Sequence, residues 1–518
     1  MRSVFLLIAA MSAGCFCSYS QGPQSVESVR QEAVQKADSY EQTVNVEEAG
    51  TLASLIDESQ KYQLTSLKIT GEINGDDVKF IRDMAGVSEK NLATPGLLSR
   101  IDFSEVRIVA GGGVYTTNND WDELTTEDNV FPEHFFGAGR STGCSVTEII
   151  LPTSITKIGA EALQNCASLT SIVIPENVTE IGKYAFSGSG LTSAEIPSTV
   201  TKIGEGVFFG CQNLKSVTLP DNLTEIPTIA FSQTGLTEIV VPDAVESLGM
   251  GAFQYSSALQ HITLSKNLKH IYSNAFNQCS ALEEIALPEG LLSIGEQVFC
   301  RCDKLTSLHI PASVNDISVG GFSGNAIFSN YAMKEFTVDP ANETYKAVDG
   351  IIYTKDGSKI ISCPTAYEFS EGKLVVPEGV KEISTYAFHT CLYITDITLP
   401  SSLETLGHGA FASSANVMKL TCNAVTPPAV SGYGTPFGGF NTEVCELWVP
   451  EGSEQAYREA EYWSDFTIVQ VSGVDKVAAD RRIVERYDIS GRVVDETAKG
   501  LQIVKYDDGT VDKIVVKD

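Results

Sequence analysis

The chain has 518 residues, 43% apolar and 20% charged, a composition of folded proteins, and its length allows two to four domains. Acidic residues outnumber basic ones 66 to 36, for a net charge of −30. That balance excludes nucleic acid as a partner, because phosphate binding needs clustered Lys and Arg, and it excludes docking on anionic lipid.

Residues 1–20 read as a signal peptide: Arg2 supplies positive charge, Val4 to Met11 is a short apolar core, and Ser18 to Ser20 precedes Gln21 as a cleavage site. The alternative in the same stretch is a lipid anchor at Cys15, although Ser12 stands where such sites usually carry Leu. Export to the outer cell surface or the medium is the expected localisation. No later run reaches 18 uninterrupted apolar residues, so the reading is a chain that is not transmembrane. Residues 21–45, polar and rich in Gln and Glu, read as a linker. Residues 46–140 read as an N-terminal capping region: Leu64 to Ile69 and Leu97 to Phe103 have strand spacing. Between them, Asn74 to Gly86 reads as a helix with Asp76 or Asp77 near its start.

From 141 to 420 the chain repeats itself. The residue closing each L-x-x-I-x-I-P phrase falls at Pro152, Pro175, Pro197, Pro220, Pro242, Ser265, Pro288, Pro311, Asp339, Pro377 and Pro400. The steps are 22 or 23 residues except for two of 28 and 38, which mark an insertion, not a new domain. Within one unit Ile172 and Ile174 share the inward face of a strand, while Ser171 and Val173 take the other face. Pro175 ends the strand, Val178 and Ile181 turn inward, Gly182 allows a backbone conformation that a Cβ would hinder, and Ala185 with Phe186 closes the turn. One such unit cannot bury its apolar side alone, and stacked copies can. The expected fold is therefore mixed and β-rich: a solenoid of stacked parallel strands, capped at both ends.

Phe recurs with the period, at Phe186, Phe208, Phe231, Phe253, Phe276, Phe299, Phe322, Phe388 and Phe411, and reads as an internal spine, with Leu163 in its place in the first clear unit. Cys144, Cys166, Cys211, Cys279, Cys302 and Cys391 share a second register and read as buried small residues, not a metal set. Cys279 with Cys302 and Cys422 with Cys445 are the two pairs spaced for a disulfide. The outward strand positions include Thr170, Ser171, Thr192, Ser193, Thr218, Thr237, Glu238, Thr306, His309, Thr395 and Thr398, a hydroxyl-rich face. Such a face suits a protein ligand better than a stacked sugar. Aromatic residues in Gly- or Asn-rich loops, Tyr115, Trp121, Tyr433, Phe437 and Phe440, are secondary binding candidates.

The phrase L-x-x-I-x-I-P … V-T-x-I-G-x-x-A-F-x-x-C resembles the BspA-type leucine-rich repeat of surface proteins in Bacteroidetes and some mucosal protists, over residues 46 to 470. The resemblance implies a parallel sheet on one face, a hairpin in the insertion at about 338–364, and adhesion to host matrix proteins, other bacteria or surface polymers. Residues 421–470 then read as a C-terminal cap, with Trp463 and Phe466 sealing the last turn. The segment 472–518, through Tyr487 to Arg492 and Asp508 to Lys517, is similar to a type-nine secretion sorting domain, with Gln502 where an aromatic is common. No catalytic motif stands out, so the expectation is a non-enzymatic binding protein without a cofactor. The second reading is a carbohydrate-binding accessory protein in glycan capture.

Overall fold

The computed structural model describes residues 41–118, 120–137, 144–318, 330–432, 434–470, 483–488, 492–495, 500–506 and 511–516. The stretch read as a signal peptide, Cys15, Phe322 and Tyr433 lie outside these residues, as does most of the stretch read as a linker. The chain divides into two units, Met1–Ser265 and Lys266–Asp518.

The first unit starts with long parallel strands. β1 (Glu41–Val46), β2 (Ser66–Ile73) and β3 (Arg100–Ile108) pair in order, and β3 then pairs with Glu148–Ile150. β1 thus begins inside the stretch read as linker. Alternation explains the sheet: Val44, Val46, Leu67, Ile69, Ile101 and Ile149 are buried on one face. Helix α1 (Gly75–Met84) follows β2 and starts with a capping box. The Asp77 carboxylate accepts from the backbone of Gly50 (2.6 Å), Leu52 (2.9 Å) and Asn74 (3.0 Å), tying three segments together.

The coils carry a second, shorter column of strands that the sequence reading lacked. Val130–Phe131, Lys157–Ile158, Glu180–Ile181 and Lys202–Ile203 pair in parallel, each burying its apolar member. A third ladder runs through the Phe turns. Tyr184, Phe186 and Gly188 donate backbone N–H groups to the carbonyls of Glu205, Val207 and Phe209 one coil on, and the next turn repeats the pattern. The turn needs two left-handed residues four apart, such as Tyr184 (φ 52°) with Gly188 (φ 66°), or Gly206 with Gly210. Gly182 plays a different part from the one expected. Its φ is ordinary, and what excludes a side chain is packing, since a Cβ would lie 2.5 Å from the Ala160 nitrogen of the preceding coil. Pro227 fills the equivalent place two coils later, so the close approach is not required of every coil.

The second unit has the same construction: His270–Ile271, Ser293–Ile294 and Asp316–Ile317 pair in parallel. Five of its outer strands, Lys373–Val375, Asp396–Leu399, Lys419–Cys422, Glu446–Val449 and Thr467–Gln470, form one parallel sheet. Where the period breaks, Tyr345–Val348, Ile351–Thr354 and Lys359–Ser362 form antiparallel pairs, and the last rejoins the coils beside Glu382–Ile383. At the C-terminal end of the coils, Trp463 is buried and its Nε1 donates to the Pro428 carbonyl (3.1 Å). Three antiparallel strands, Ile483–Asp488, Gly500–Tyr506 and Val511–Val516, complete the chain. Gln502 is buried there, accepting from Arg486 (3.1 Å) and donating to the Asp495 carbonyl (3.4 Å).

Candidate functional site

Each coil presents its outer strand with apolar residues inward, so the outward positions form rows across neighbouring coils. Thr170, Ser171, Thr192, Ser193, Thr218, Thr237, Glu238, Thr306 and His309 are all exposed. Register places Ser193 beside Ser216, Glu238 beside His261, and His309 beside Thr337, whose Oγ1 lies 2.9 Å from His309 Nδ1. Apolar residues stand among them in the first unit, where Val173 is 83% exposed and Val240 65%, and in the second unit Val375 is 66% exposed. Thr395 and Thr398 depart from the expectation, being half-buried. Strands flank them on both sides, and the Thr395 hydroxyl is engaged with the Gly372 carbonyl (3.3 Å) and Asp396 Oδ2 (2.8 Å).

Trp448 belongs to this face and was missed. It pairs in register with Thr421, lies 4.1 Å (ring centroid) below the Lys419 ammonium, and donates from Nε1 to Glu446 (3.0 Å). The signal was present: Leu447, Val449 and Pro450 repeat the end of the unit phrase.

Three of the aromatic loop candidates are corrected. Tyr115 is buried, and its hydroxyl donates to the Glu133 carbonyl (2.7 Å). Phe437 is buried, stacked on Phe411 with centroids 6.4 Å apart, because Thr435 to Gly438 form one more Phe turn that accepts from Gly409, Phe411 and Ser413. Phe440 is half-buried against Phe437 and Phe466. Trp121 alone of the described four is exposed, at 84%, on the tip between β4 (Gly111–Thr117) and β5 (Glu123–Thr126).

The spine positions are internal. Phe186, Phe208, Phe231 and Phe253 stack with centroids 5.4, 5.7 and 5.5 Å apart, Phe276 stacks on Phe299 at 5.6 Å, and Phe388 on Phe411 at 5.2 Å. Cys279, Cys302, Cys422 and Cys445 are buried thiols outside any disulfide, which corrects both disulfide candidates. Cys302 instead donates to the Phe276 carbonyl (3.2 Å), and Cys422 accepts from the Tyr457 hydroxyl (3.1 Å). The thiol register is a hydrogen-bond register: Cys211, Ser256 and Ser414 each donate to the carbonyl of the spine Phe one coil back.

A groove of about 550 Å³ lies in the second unit, between the antiparallel insertion and the short strands beside it. On its floor Lys359 pairs with Glu382 (2.6 Å) and Lys381 with Glu404 (3.1 Å). Its wall is the turn from Thr354 to Lys359. Hydroxyls of Thr354 and Ser358 hold the Asp356 carboxyl down at about 2.

A model of the BspA type leucine rich repeat region matches residues 141–260, 224–339 and 365–427, in six copies. The chain belongs to the BspA-type leucine-rich repeat family. It is similar to a leucine-rich repeat protein from Bacteroides ovatus, at 20% identity over 70% of this chain and 91% of that one, with a TM-score of 0.45. A leucine rich cell surface protein from Faecalibacterium prausnitzii is 21% identical over 68% and 85% of the two chains, with a TM-score of 0.38. The pneumococcal vaccine antigen PcpA is 20% identical over 54% and 79%, with a TM-score of 0.34. No curated protein matches the chain.

In this BspA-type array the described Phe turns within the first unit accept hydrogen bonds from the turn before, so the first turn needs another source of donors. That turn is His134 to Phe136, one coil earlier than the sequence reading began the spine; His134 and Phe136 donate onward to Ala160 and Ala162. Its own carbonyls are met by side chains. Tyr115 serves Glu133, and the buried Arg82 guanidinium serves His134 and Phe135, reaching Asn91 Oδ1 (2.6 Å) as well. Burial lowers the Arg82 pKa only to about 10, so it stays charged at pH 7. Burial, with Arg82 second, lowers His134 to about 4, so the ring is neutral beside Glu161.

Proposed function

We propose that the chain is an exported binding protein, not an enzyme, displayed at the cell surface, and that its outer strand face takes a protein partner. The observation that carries this reading is the pair of exposed β-branched residues Val173 and Val240, set among hydroxyls on the strand face of the first unit. Apolar groups left in water gain free energy when a partner covers them, roughly 25 cal/mol per Å². Membership in the BspA-type leucine-rich repeat family supports the same reading, because stacked repeats offer extended binding surfaces. Adhesion to host matrix or to other bacteria is the form of binding proposed. The test is retention of the full chain on immobilised matrix proteins and bacterial envelope proteins. Saturable retention by one protein class, weakened at least tenfold by Val173→Lys with Val240→Lys, is expected. Retention unchanged by that pair would remove the strand face from the reading.

A further inference from the structure

The period breaks once, and the insertion that breaks it builds the groove. Insertions in solenoids gather on one face, often the binding face, and the volume of about 550 Å³ falls within the range of small-ligand sites, ~300–1,000 Å³. Every side chain lining the groove is charged or carries a hydroxyl. A lipid tail or the apolar side chains of a peptide would find nothing to pack against there.

The charges narrow the ligand further. Three ammonium groups face four carboxylates, a near balance in a chain of net charge −30. A polyanion would meet the carboxylates of Glu382, Glu404 and Asp356, and a polycation the ammonium groups of Lys355, Lys359 and Lys381. A neutral hydroxyl avoids both conflicts, because it donates to a carboxylate and accepts from an ammonium at once. Such charge-assisted bonds are roughly twice as strong as neutral ones. Register makes the arrangement repeat: Lys359 lies beside Glu382 and Glu382 beside Thr405, one strand spacing (about 4.8 Å) apart. Neighbouring hydroxyls on one molecule therefore meet acceptor and donor alternately.

We propose that this groove is a saccharide site, binding a short stretch of a neutral glycan edge-on through its hydroxyls, with Lys381 and Glu404 as principal contacts. It is separate from the strand face and from the aromatic loops.

The experiment is affinity electrophoresis of the full chain through gels containing dextran, inulin or xylan, with polygalacturonate and a poly(Glu-Lys) copolymer as the anionic and peptide arms. Retardation by at least one neutral polymer is expected, with the apparent dissociation constant raised tenfold or more in Lys381→Ala/Glu404→Ala. That pair is exposed, at 61% and 66%, so the variant should keep the native melting midpoint. Val173→Lys/Val240→Lys should keep glycan binding, which separates this site from the protein-binding reading. Retardation by polygalacturonate alone, by the copolymer alone, by no neutral polymer, or equally in the Lys381/Glu404 variant would overturn the proposal.

Discussion

At the scale of single residues, the repeat makes sense as a set of donors and close contacts. Three residues after the eight described spine Phe residues stand Ser189, Cys211, Thr234, Ser256, Cys279, Cys302, Cys391 and Ser414, side chains with little in common except small size and one hydrogen to donate. Cys211 uses it on the Phe186 carbonyl (3.0 Å). Cys211→Ser should therefore be close to neutral, whereas Cys211→Val leaves the Phe186 carbonyl with the Ser189 N–H as its donor and should cost ~0.5–1.5 kcal/mol in urea unfolding. Burial also pushes the Cys211 thiol up to about 11. The folded state thus holds the proton longer than the unfolded chain, whose thiol titrates near ~8.5. The stability this contributes is complete below the unfolded value and is lost as pH rises through about 11. The sequence showed the cysteine register but not this role, because the acceptor belongs to another coil.

At the scale of elements, the ends of the array carry the design problem. A stacked ladder leaves carbonyls without donors at its first turn, and unpaired buried carbonyls are costly. Tyr115 and Arg82 meet that need, and Asp77 anchors the helix that carries Arg82. Tyr115→Phe keeps the ring and removes one donor, so it should lower stability by ~1–3 kcal/mol. Arg82→Met removes donors to several acceptors and should cost more. Denaturant melts of both variants check the order. The helix and the coil period were legible because capping residues and apolar spacing are local signals. The role of Tyr115 was not, since its loop looks like an exposed Gly-rich segment until Glu133 is brought beneath it.

At the scale of the molecule, charge matters more than any ion pair. Thirty excess negative charges repel one another, while exposed pairs such as Arg100 with Glu148 or Lys304 with Glu283 are worth about 0–1 kcal/mol each. Raising salt from ~0.01 to ~0.15 M shortens the screening length from about 30 to about 8 Å and weakens both effects. Repulsion is the larger, so the melting midpoint at pH 7 should rise with NaCl. The rise should shrink near pH 5.5, closer to the isoelectric point of about 4.6. A midpoint that falls with salt would mean that the surface pairs dominate.

The amino-acid sequence alone determined the period, the inward set of Ile, Leu and Phe, and the outward hydroxyl rows. All of these follow from spacing along one chain, where a strand's side-chain alternation is fixed by its own backbone. Tertiary structure decided which aromatics are solvent-facing, which groups finish the ladders, and that a groove exists. Phe437 became a spine residue and Trp121 stayed in water although both sit in similar loops. Arg82 reaches carbonyls 52 and 53 residues away. Such outcomes depend on which distant segments meet, and local spacing carries no record of that.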